Sequence, residues 1–516
     1  MKKHFVIAHD LGTSGDKATL FDSDGGQRGS AFHAYETEYP RPGWAEQDAE
    51  AWWSAVCSST RALLDQSGVP ASDVAAIGFS GQMMGCVPLA EDARPLRKAI
   101  IWADHRALDQ ERWCAERVSP DAVYDITGHR LSASNSRCKM LWLRDNDPQL
   151  DAKTHRFVQA KDAIVARLTG NFVTDFSDAS GTNLLDLGSR RYSETVVDAS
   201  QLDPDKLPTL AESTSVAGTV LPAAAEAIGL EAGTAVVIGA GDGACATLGA
   251  GAYVEGRTYA SVGSSAWIAL ASERPLLDPQ RRTFTFAHIV PGLYIPCGTM
   301  QAAGISYRWV AELLSGSERP DRGTDDGLTF ERLNELASAA PAGSRDLIFL
   351  PYLLGERSPR WDPSARGAFV GLTVGHGETE LIRSVAEGIV MNLRLILDVF
   401  AELGARRDVV RTVGGAAASR FWNQLMADVF AVPVRPMRHL ADATSMGAAV
   451  AAGVGVGLYE GFDIIDTMNP VGDAVAPDPA ATRAYERQLS AFEAMYQALS
   501  PAFALQDQRR MAASDE

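Results

Sequence analysis

The chain has 516 residues, 46% of them hydrophobic and 22% charged. This balance excludes a disordered or fibrous protein, and the length exceeds what one hydrophobic core supports, so two large domains flanking a cleft are expected. A formal charge of −18 excludes the basic face that nucleic acid or an anionic membrane requires, so any polyphosphate must be met by local donors.

From the N-terminus, "HFVIAHDLGTSGDKATLFDSDGGQ" reads as two apolar strands joined by a Gly/Ser/Thr turn. The apolar stretch Phe5 to Ala8 is too short for a secretory signal, so the chain reads as mature from its start. In the turn, Gly12 and the hydroxyls of Thr13 and Ser14 can approach an anion closely, and Lys17 can add charge. Asp10 stands beside it. A carboxylate next to a polyphosphate repels it unless a hard cation such as Mg2+ lies between them, which makes Asp10 a candidate metal-side acid acting through water. The same residues also read as an ordinary hairpin with Asp10 as a turn acceptor.

"AEQDAEAWWSAVCSSTRALLDQSG" predicts a helix that begins after Gln47 and Asp48 and stops at Gly68. "VAAIGFSGQMMGCVPL" predicts strand, glycine turn and strand. Its "GFSGQ" misses the nucleophile elbow G-x-S-x-G because the second glycine comes one place early. Six cysteines, at 57, 86, 114, 138, 245 and 297, form no C-x-x-C pair and no dense framework, which fits a reducing, cytoplasmic setting.

At mid-chain, "TAVVIGAGDGACATLG" admits two readings: a dinucleotide-binding turn of the form Gly-x-Gly-x-x-Ala, or a catalytic aspartate, Asp242, in a glycine-rich cradle. The first needs an acid about 20 residues further on, at the end of the next strand. Glu255 comes too early, and Asp242 would set negative charge where a pyrophosphate must lie.

"SVGSSA" repeats the opening layout, with Gly263, Ser264 and Ser265 as a second phosphate turn. "VVRTVGGAAASRFWNQLMADVF" is strand, glycine turn and amphipathic helix, with apolar positions at Phe421, Leu425, Met426 and Val429. A glycine hairpin near the start of each half places their junction near residues 250 to 256. Residues 311–330 read as an exposed loop, and 443–459 as a buried, closely packed helix slightly short for a membrane span. The tail reads as a helix whose end, "QDQRRMAASDE", is frayed or disordered. Strands mixed with helices argue an α/β protein.

These turns, in this order, resemble the FGGY family of carbohydrate kinases over nearly the whole chain. "DLGTSG" is similar to the family's first phosphate motif, "SVGSSA" to its second, "VGGAAAS" to its adenosine motif and "SMGAAVAAG" to its second interdomain connecting helix. "SNSRCKMLWLRDN" (134–146) and "GAFVGLTVGHGETELIRSVAE" (367–387) resemble the two family signatures, the second with Ala386 where a larger apolar residue is usual. "PYLLGERSP" is another phrase typical of the group. The resemblance implies a two-domain actin/hexokinase-like (ribonuclease H-like) ATPase fold. Each domain, here residues 1–252 and 253–516, would be a mixed sheet flanked by helices, with the active-site cleft between them. ATP and Mg2+ are the implied cofactors and a small sugar or polyol the acceptor. Neither nucleic acid nor membrane is implied as a partner, and a homodimer is the assembly considered.

Within the family, "GWAEQDAEAWW", "GFSGQMMG", "IIWADHRA", "TDFSDASGT" and "GERSPRWDP" are similar to xylulose kinases. That implies transfer from ATP to D-xylulose, giving D-xylulose 5-phosphate and ADP, with Asp242 as general base. By the same resemblance Gln82, Met83, Met84, Trp102, Asp104 and Arg106 belong to the sugar. Gly12, Thr13, Ser14, Lys17, Gly263, Ser264 and Ser265 belong to the phosphates, Gly414, Gly415, Ala416 and Asn423 to adenosine, and Asp10 and Asp242 to the metal.

Three departures fall on the acceptor side. Met84 stands where xylulose kinases commonly have His, Gly243 where they have Asn, and "WADHR" replaces "WNDGR". Other acceptors of the family, L-ribulose, L-xylulose, L-fuculose, gluconate and glycerol, therefore stay open. Two further classes are weighed against a kinase: an NAD-dependent oxidoreductase built on the turn at 239–244, and a non-catalytic ATP-binding sensor or chaperone on the same fold.

Overall fold

The computed structural model describes residues 4–315 and 329–514. Twelve strands make the two principal sheets. The first contains β1 (Phe5–Leu11), β2 (Gly15–Asp22), β3 (Gln27–Ala34), β4 (Val74–Gly81), β5 (Val216–Thr219) and β6 (Ala235–Gly241), in the spatial order β5-β6-β4-β1-β2-β3. The second contains β7 (Thr258–Val262), β8 (Ala266–Leu270), β9 (Phe284–Ala287), β10 (Tyr294–Met300), β11 (Val410–Val413) and β12 (Val434–Pro436), in the order β9-β10-β8-β7-β11-β12.

Five strands of each sheet share one plan. β1 and β7 open the plan, each paired antiparallel with the next strand in the chain, which pairs antiparallel with a third. On the other side each opener pairs parallel with a later strand, and that strand with a fifth. The parallel members include the apolar runs "VAAIGFSG", "AVVIGAG" and "VRTV", which are almost wholly buried. The doubled mixed sheet is the architecture expected from the two glycine hairpins.

Local rules set the helix ends. Ala49–Ser67 starts where the Asp48 carboxylate accepts from the Glu50 N–H at 2.9 Å, and stops at Gly68 in the left-handed conformation. Its Trp52, Val56 and Leu63 pack on the first sheet beside Ile7, Leu20 and Ile77.

The halves are tied by helix Ala443–Gly455, which follows the last strand of the second sheet and packs on β4, β1 and β6 of the first. It crosses helix Asp242–Gly249 backbone to backbone. A Cβ on Gly447 would lie 2.0 Å from the Cys245 carbonyl oxygen, and one on Gly249 would lie 1.7 Å from that of Ala443. One hydrophobic cluster therefore contains Val6 and Phe21, Tyr259 and Ala269, and Ala448 to Ala452. Because only backbone could yield, Gly249→Ala is expected to destabilise the protein by roughly 1–3 kcal/mol, read as a lower urea midpoint. An unchanged midpoint would show that the crossing is looser than drawn.

Two expectations change. Of the stretch 311–330, residues 311–315 close the helix Gly304–Ser315 and residue 330 opens the helix Phe330–Ala339; 316–328 lie outside the described residues. The C-terminal segment does not fray at 506: helix Pro479–Ser514 runs through it, since "ALQDQRRMAAS" contains strong helix formers and no glycine or proline to stop it. All six cysteines are free thiols, and among the described residues no helix is long and apolar enough to cross a membrane.

Candidate active site

The turn after β1 is shaped from behind. Gln82, only 2% exposed, donates from Nε2 to the Gly12 carbonyl at 3.3 Å and to Gln47 Oε1 at 2.7 Å. Gln47 donates in turn to the Thr13 carbonyl at 2.7 Å and accepts from the Trp52 indole at 3.0 Å. With the carbonyls of Gly12 and Thr13 held from the core side, Thr13 is left on the cleft side, where the Trp102 indole donates to its hydroxyl at 3.0 Å. Ser14 at the tip is exposed.

Thr13 opens onto a cavity of about 340 Å³ that also takes in Met83, Met84, Trp102, Asp242, Gly243, Ser265, Trp267 and Arg357. Both halves of the chain thus deliver side chains to one space. Asp242 begins the helix Asp242–Gly249 directly after β6, and its Oδ1 accepts from the Gly243 N–H at 2.7 Å. Burial raises its carboxyl to about 6. The protein's own carboxylate fills the start of this helix, which is incompatible with the pyrophosphate seat of the oxidoreductase reading.

The turn carrying Asp242 is itself anchored, because the Gly241 N–H donates to Ser177 Oγ at 3.0 Å and Ser177 Oγ donates to Asp175 at 2.5 Å. Asp10, on β1, accepts from Ser80 Oγ at 3.1 Å. Burial, and next the charge of Asp242, push its carboxyl up to about 7. Lys17 does not face this pair freely: its ammonium bonds to Asp442, at the start of helix Ala443–Gly455.

Met84 adopts φ +60 and is held there by Lys139, whose buried ammonium donates to the carbonyls of Met84 (2.8 Å), Ile101 (2.8 Å) and Ser134 (2.7 Å). Burial lowers the Lys139 ammonium to about 7. Gly243 lies against the Trp267 indole, 3.1 Å from where a Cβ would stand. The room that an asparagine would take is thus occupied by an aromatic ring beside the base.

Asp104 and Arg106, expected at the sugar, pair with each other inside the fold. Asp104 is fully buried, accepts from the Ala45 N–H at 2.6 Å and pairs with Arg106 at 2.7 Å. The Arg106 guanidinium also pairs with Glu46 and lies 3.7 Å from the Trp44 ring centroid. These residues lock the "WADHR" turn onto the segment before the first helix and do not line the cavity.

A second cavity, of about 320 Å³, adjoins the second hairpin and is lined by Gly263, Ser264, Gly415, Ala416, Tyr307, Arg308, Asn334 and Trp422 among others. The hairpin thus serves two spaces, Ser265 facing the first and Gly263 and Ser264 the second. Gly414 holds φ +82, and a Cβ there would come within 2.9 Å of the Val262 carbonyl, so the turn needs glycine to lie this close to β7. Tyr307 and Trp422 meet edge to face at 5.2 Å, and both donate to Asn334 Oδ1 at 3.1 Å. An aromatic wall beside a glycine turn suits a flat heterocycle. Asn423, expected here, is buried and spent inside the fold, donating to the carbonyls of Ala417 and Ser419 and accepting from Thr412.

Sequence reasoning missed Gln47, Lys139, Trp267, Arg357, Tyr307 and Asn334. Lys139 sits inside the stretch "SNSRCKMLWLRDN", and Arg357 inside "PYLLGERSP" and "GERSPRWDP", which gave the signal for them.

Residues 5–249 match the N-terminal domain of the FGGY family of carbohydrate kinases and residues 258–456 its C-terminal domain. The chain is 33% identical over 459 residues to a xylulose kinase of Bacillus subtilis (strain 168), covering 89% of this chain and 90% of that one. Its structure matches that of gluconate kinase from Lactobacillus acidophilus with a TM-score of 0.90 at 28% identity, over 97% of this chain and 99% of the other. It matches a ligand-bound xylulose kinase from the same organism with a TM-score of 0.89, again at 28% identity and with the same coverage. With both halves matched in order and the two hairpins facing adjoining cavities, the chain belongs to the FGGY family of carbohydrate kinases.

Proposed function

We propose that the protein phosphorylates D-xylulose with ATP, releasing D-xylulose 5-phosphate and ADP, with Asp242 as the general base. The observation that carries this is the shared hairpin: Gly263 and Ser264 open to the aromatic-walled cavity, while Ser265 opens to the one that holds Thr13 and Asp242. A nucleotide seated on the aromatic side would extend its phosphates past the hairpin toward Asp242. The acceptor hydroxyl would lie against Asp242, which takes its proton as the oxygen attacks the terminal phosphorus and ADP leaves. Gly12, Thr13 and Ser14 would meet the phosphates from the other half, and Met83, Met84, Trp102 and Trp267 would wall the sugar and exclude water. D-xylulose is supported by the xylulose kinases among the relatives, which match nearly end to end. In this reading residues 1–252 and 253–516 are the acceptor and nucleotide domains.

Asp10, whose carboxyl is raised by burial and next by the charge of Asp242, and whose neighbouring Lys17 is taken by Asp442, fits a cation. Asp10, with Asp242 nearby, would hold Mg2+, which when bound neutralises the transferring phosphates.

The test is coupled ADP release over pentuloses, hexuloses and polyols. D-xylulose is expected to give the highest kcat/KM; activity with another ketose alone would overturn the acceptor and leave the kinase standing. ATP hydrolysis that no acceptor stimulates would favour the sensor. Because the base must be ionised, kcat/KM for the acceptor is expected to rise with pH through about 6 and then level off, following the Asp242 carboxyl.

A further inference from the structure

The two ends of the aromatic-walled cavity differ in what they adjoin. An open cavity next to it shares Phe330, Glu331, Asn334, Gly415 and Ser419 with it and includes neither Gly263 nor Ser264. A nucleotide whose phosphates run past the hairpin carries its base toward these shared residues. The purine edge most remote from the ribose, at N1 and C6, then faces them.

One polar group at this end is fixed in orientation. The Trp422 indole N–H can only donate, so the Asn334 amide has to turn Oδ1 toward it; the Tyr307 hydroxyl donates to the same oxygen, each at 3.1 Å. Both donors are anchored, Tyr307 being 1% and Trp422 4% exposed. With the two lone pairs of Oδ1 used, Asn334 offers the cavity its Nδ2, a donor only, which has no partner among the described residues.

Glu331 precedes Asn334 by one turn of the helix Phe330–Ala339 and lines the same cavity. Among the described residues it closes no ion pair, since the neighbouring Arg332 pairs with Glu335. A donor beside an acceptor is the complement of adenine, whose N1 accepts and whose 6-amino group donates. A 6-oxo purine reverses both senses, with O6 accepting and N1–H donating. The remaining polar groups do not decide between them. The Ser419 hydroxyl serves either sense, and Arg308 is exposed, 5.9 Å from the Phe330 ring centroid.

We propose that Asn334 reads the base, its Nδ2 donating to N1 of adenine while the Glu331 carboxylate accepts from the 6-amino group. This rests on the nucleotide seat of the kinase reading and adds to it a selection among purines.

The experiment is calorimetric titration of the full-length protein with ADP and with IDP, the inosine nucleotide, which differs from ADP only in its 6-oxo group and N1 proton. ADP is expected to bind at least tenfold more tightly, because IDP sets donor against donor at Asn334. Asn334→Asp keeps an acceptor for Tyr307 and Trp422 and replaces the donor with a second acceptor. It should weaken ADP at least tenfold and leave IDP unchanged or tighter. Equal affinities for ADP and IDP in the wild-type protein, a comparison that needs no variant to fold, overturn the proposal and leave the nucleotide seat standing. So does a loss in Asn334→Asp that falls equally on both nucleotides, the mark of a purely structural role. Binding of neither nucleotide sinks the seat and the kinase reading with it.

Discussion

Asp242→Asn is expected to lower kcat by about 10²- to 10⁴-fold, the range that a positioned general base supplies, while ATP affinity stays within about threefold of wild type. Asparagine keeps the shape and the contact with the Gly243 N–H, so a loss in kcat cannot be assigned to a collapsed turn. Calorimetric titration with ATP and single-turnover kinetics separate the two quantities. A variant that turned over acceptor at the wild-type rate would end the assignment of Asp242. The same substitution removes the charge that helps to raise Asp10, so the Asp10 carboxyl should titrate lower in the variant.

A stability consequence follows from the direction of the Asp242 shift. A carboxyl whose folded value is raised, from 3.8 to about 6, holds its proton in the fold after the unfolded chain has released it. Its contribution to stability therefore falls as pH rises from about 4 to 6, over the interval in which activity rises.

Lys161→Met is expected to cost about 3–5 kcal/mol of unfolding free energy, the usual result of stripping one partner from a buried ionic cluster. The Lys161 ammonium is fully buried and lies 2.6 Å from Asp162, 3.0 Å from Asp175 and 3.0 Å from Asp178. Without it three carboxyls share a dry space, and Asp178 is already driven toward its protonated form, first by burial, even with the lysine present. Asp175 also accepts from Ser177 and Ser213, and Ser177 accepts from the Gly241 N–H. The damage should therefore reach the turn that carries Asp242 and lower kcat as well. Urea unfolding measures the first effect, and Asp162→Asn in the same background should restore part of it by removing one of the stranded charges. A loss under about 1 kcal/mol would show that the cluster tolerates water.

The parts of the fold legible in sequence were those governed by neighbours along the chain. Asp48 and Gly68 bracket a helix because capping is decided within a turn, and the two glycine hairpins show themselves because only small residues allow such approaches. Asp242 stood out for the same reason. What escaped were side chains whose partners come from far along the chain. Gln47 clamps a turn 34 residues away in sequence, Lys139 collects carbonyls from three segments, and Gln82, expected at the sugar, instead holds the Gly12 carbonyl 70 residues away. For Asp104, Arg106 and Asn423 the difference runs the other way. Their chemistry suited a ligand, yet each found its partners inside the protein, which no spacing reveals. The departures at Met84 and Gly243 gained meaning only once Lys139 and Trp267 were seen beside them.

The helix Ala443–Gly455 is encoded with the second half of the chain but roofs the first sheet, with Ala448 and Ala452 packed over Gly78. Genetic dissection has to follow space and not sequence order. A fragment ending near residue 252 leaves the apolar face of β1 and β4 bare and prone to aggregate, and a chimera that exchanges first halves between relatives has to bring residues 443–455 along with them.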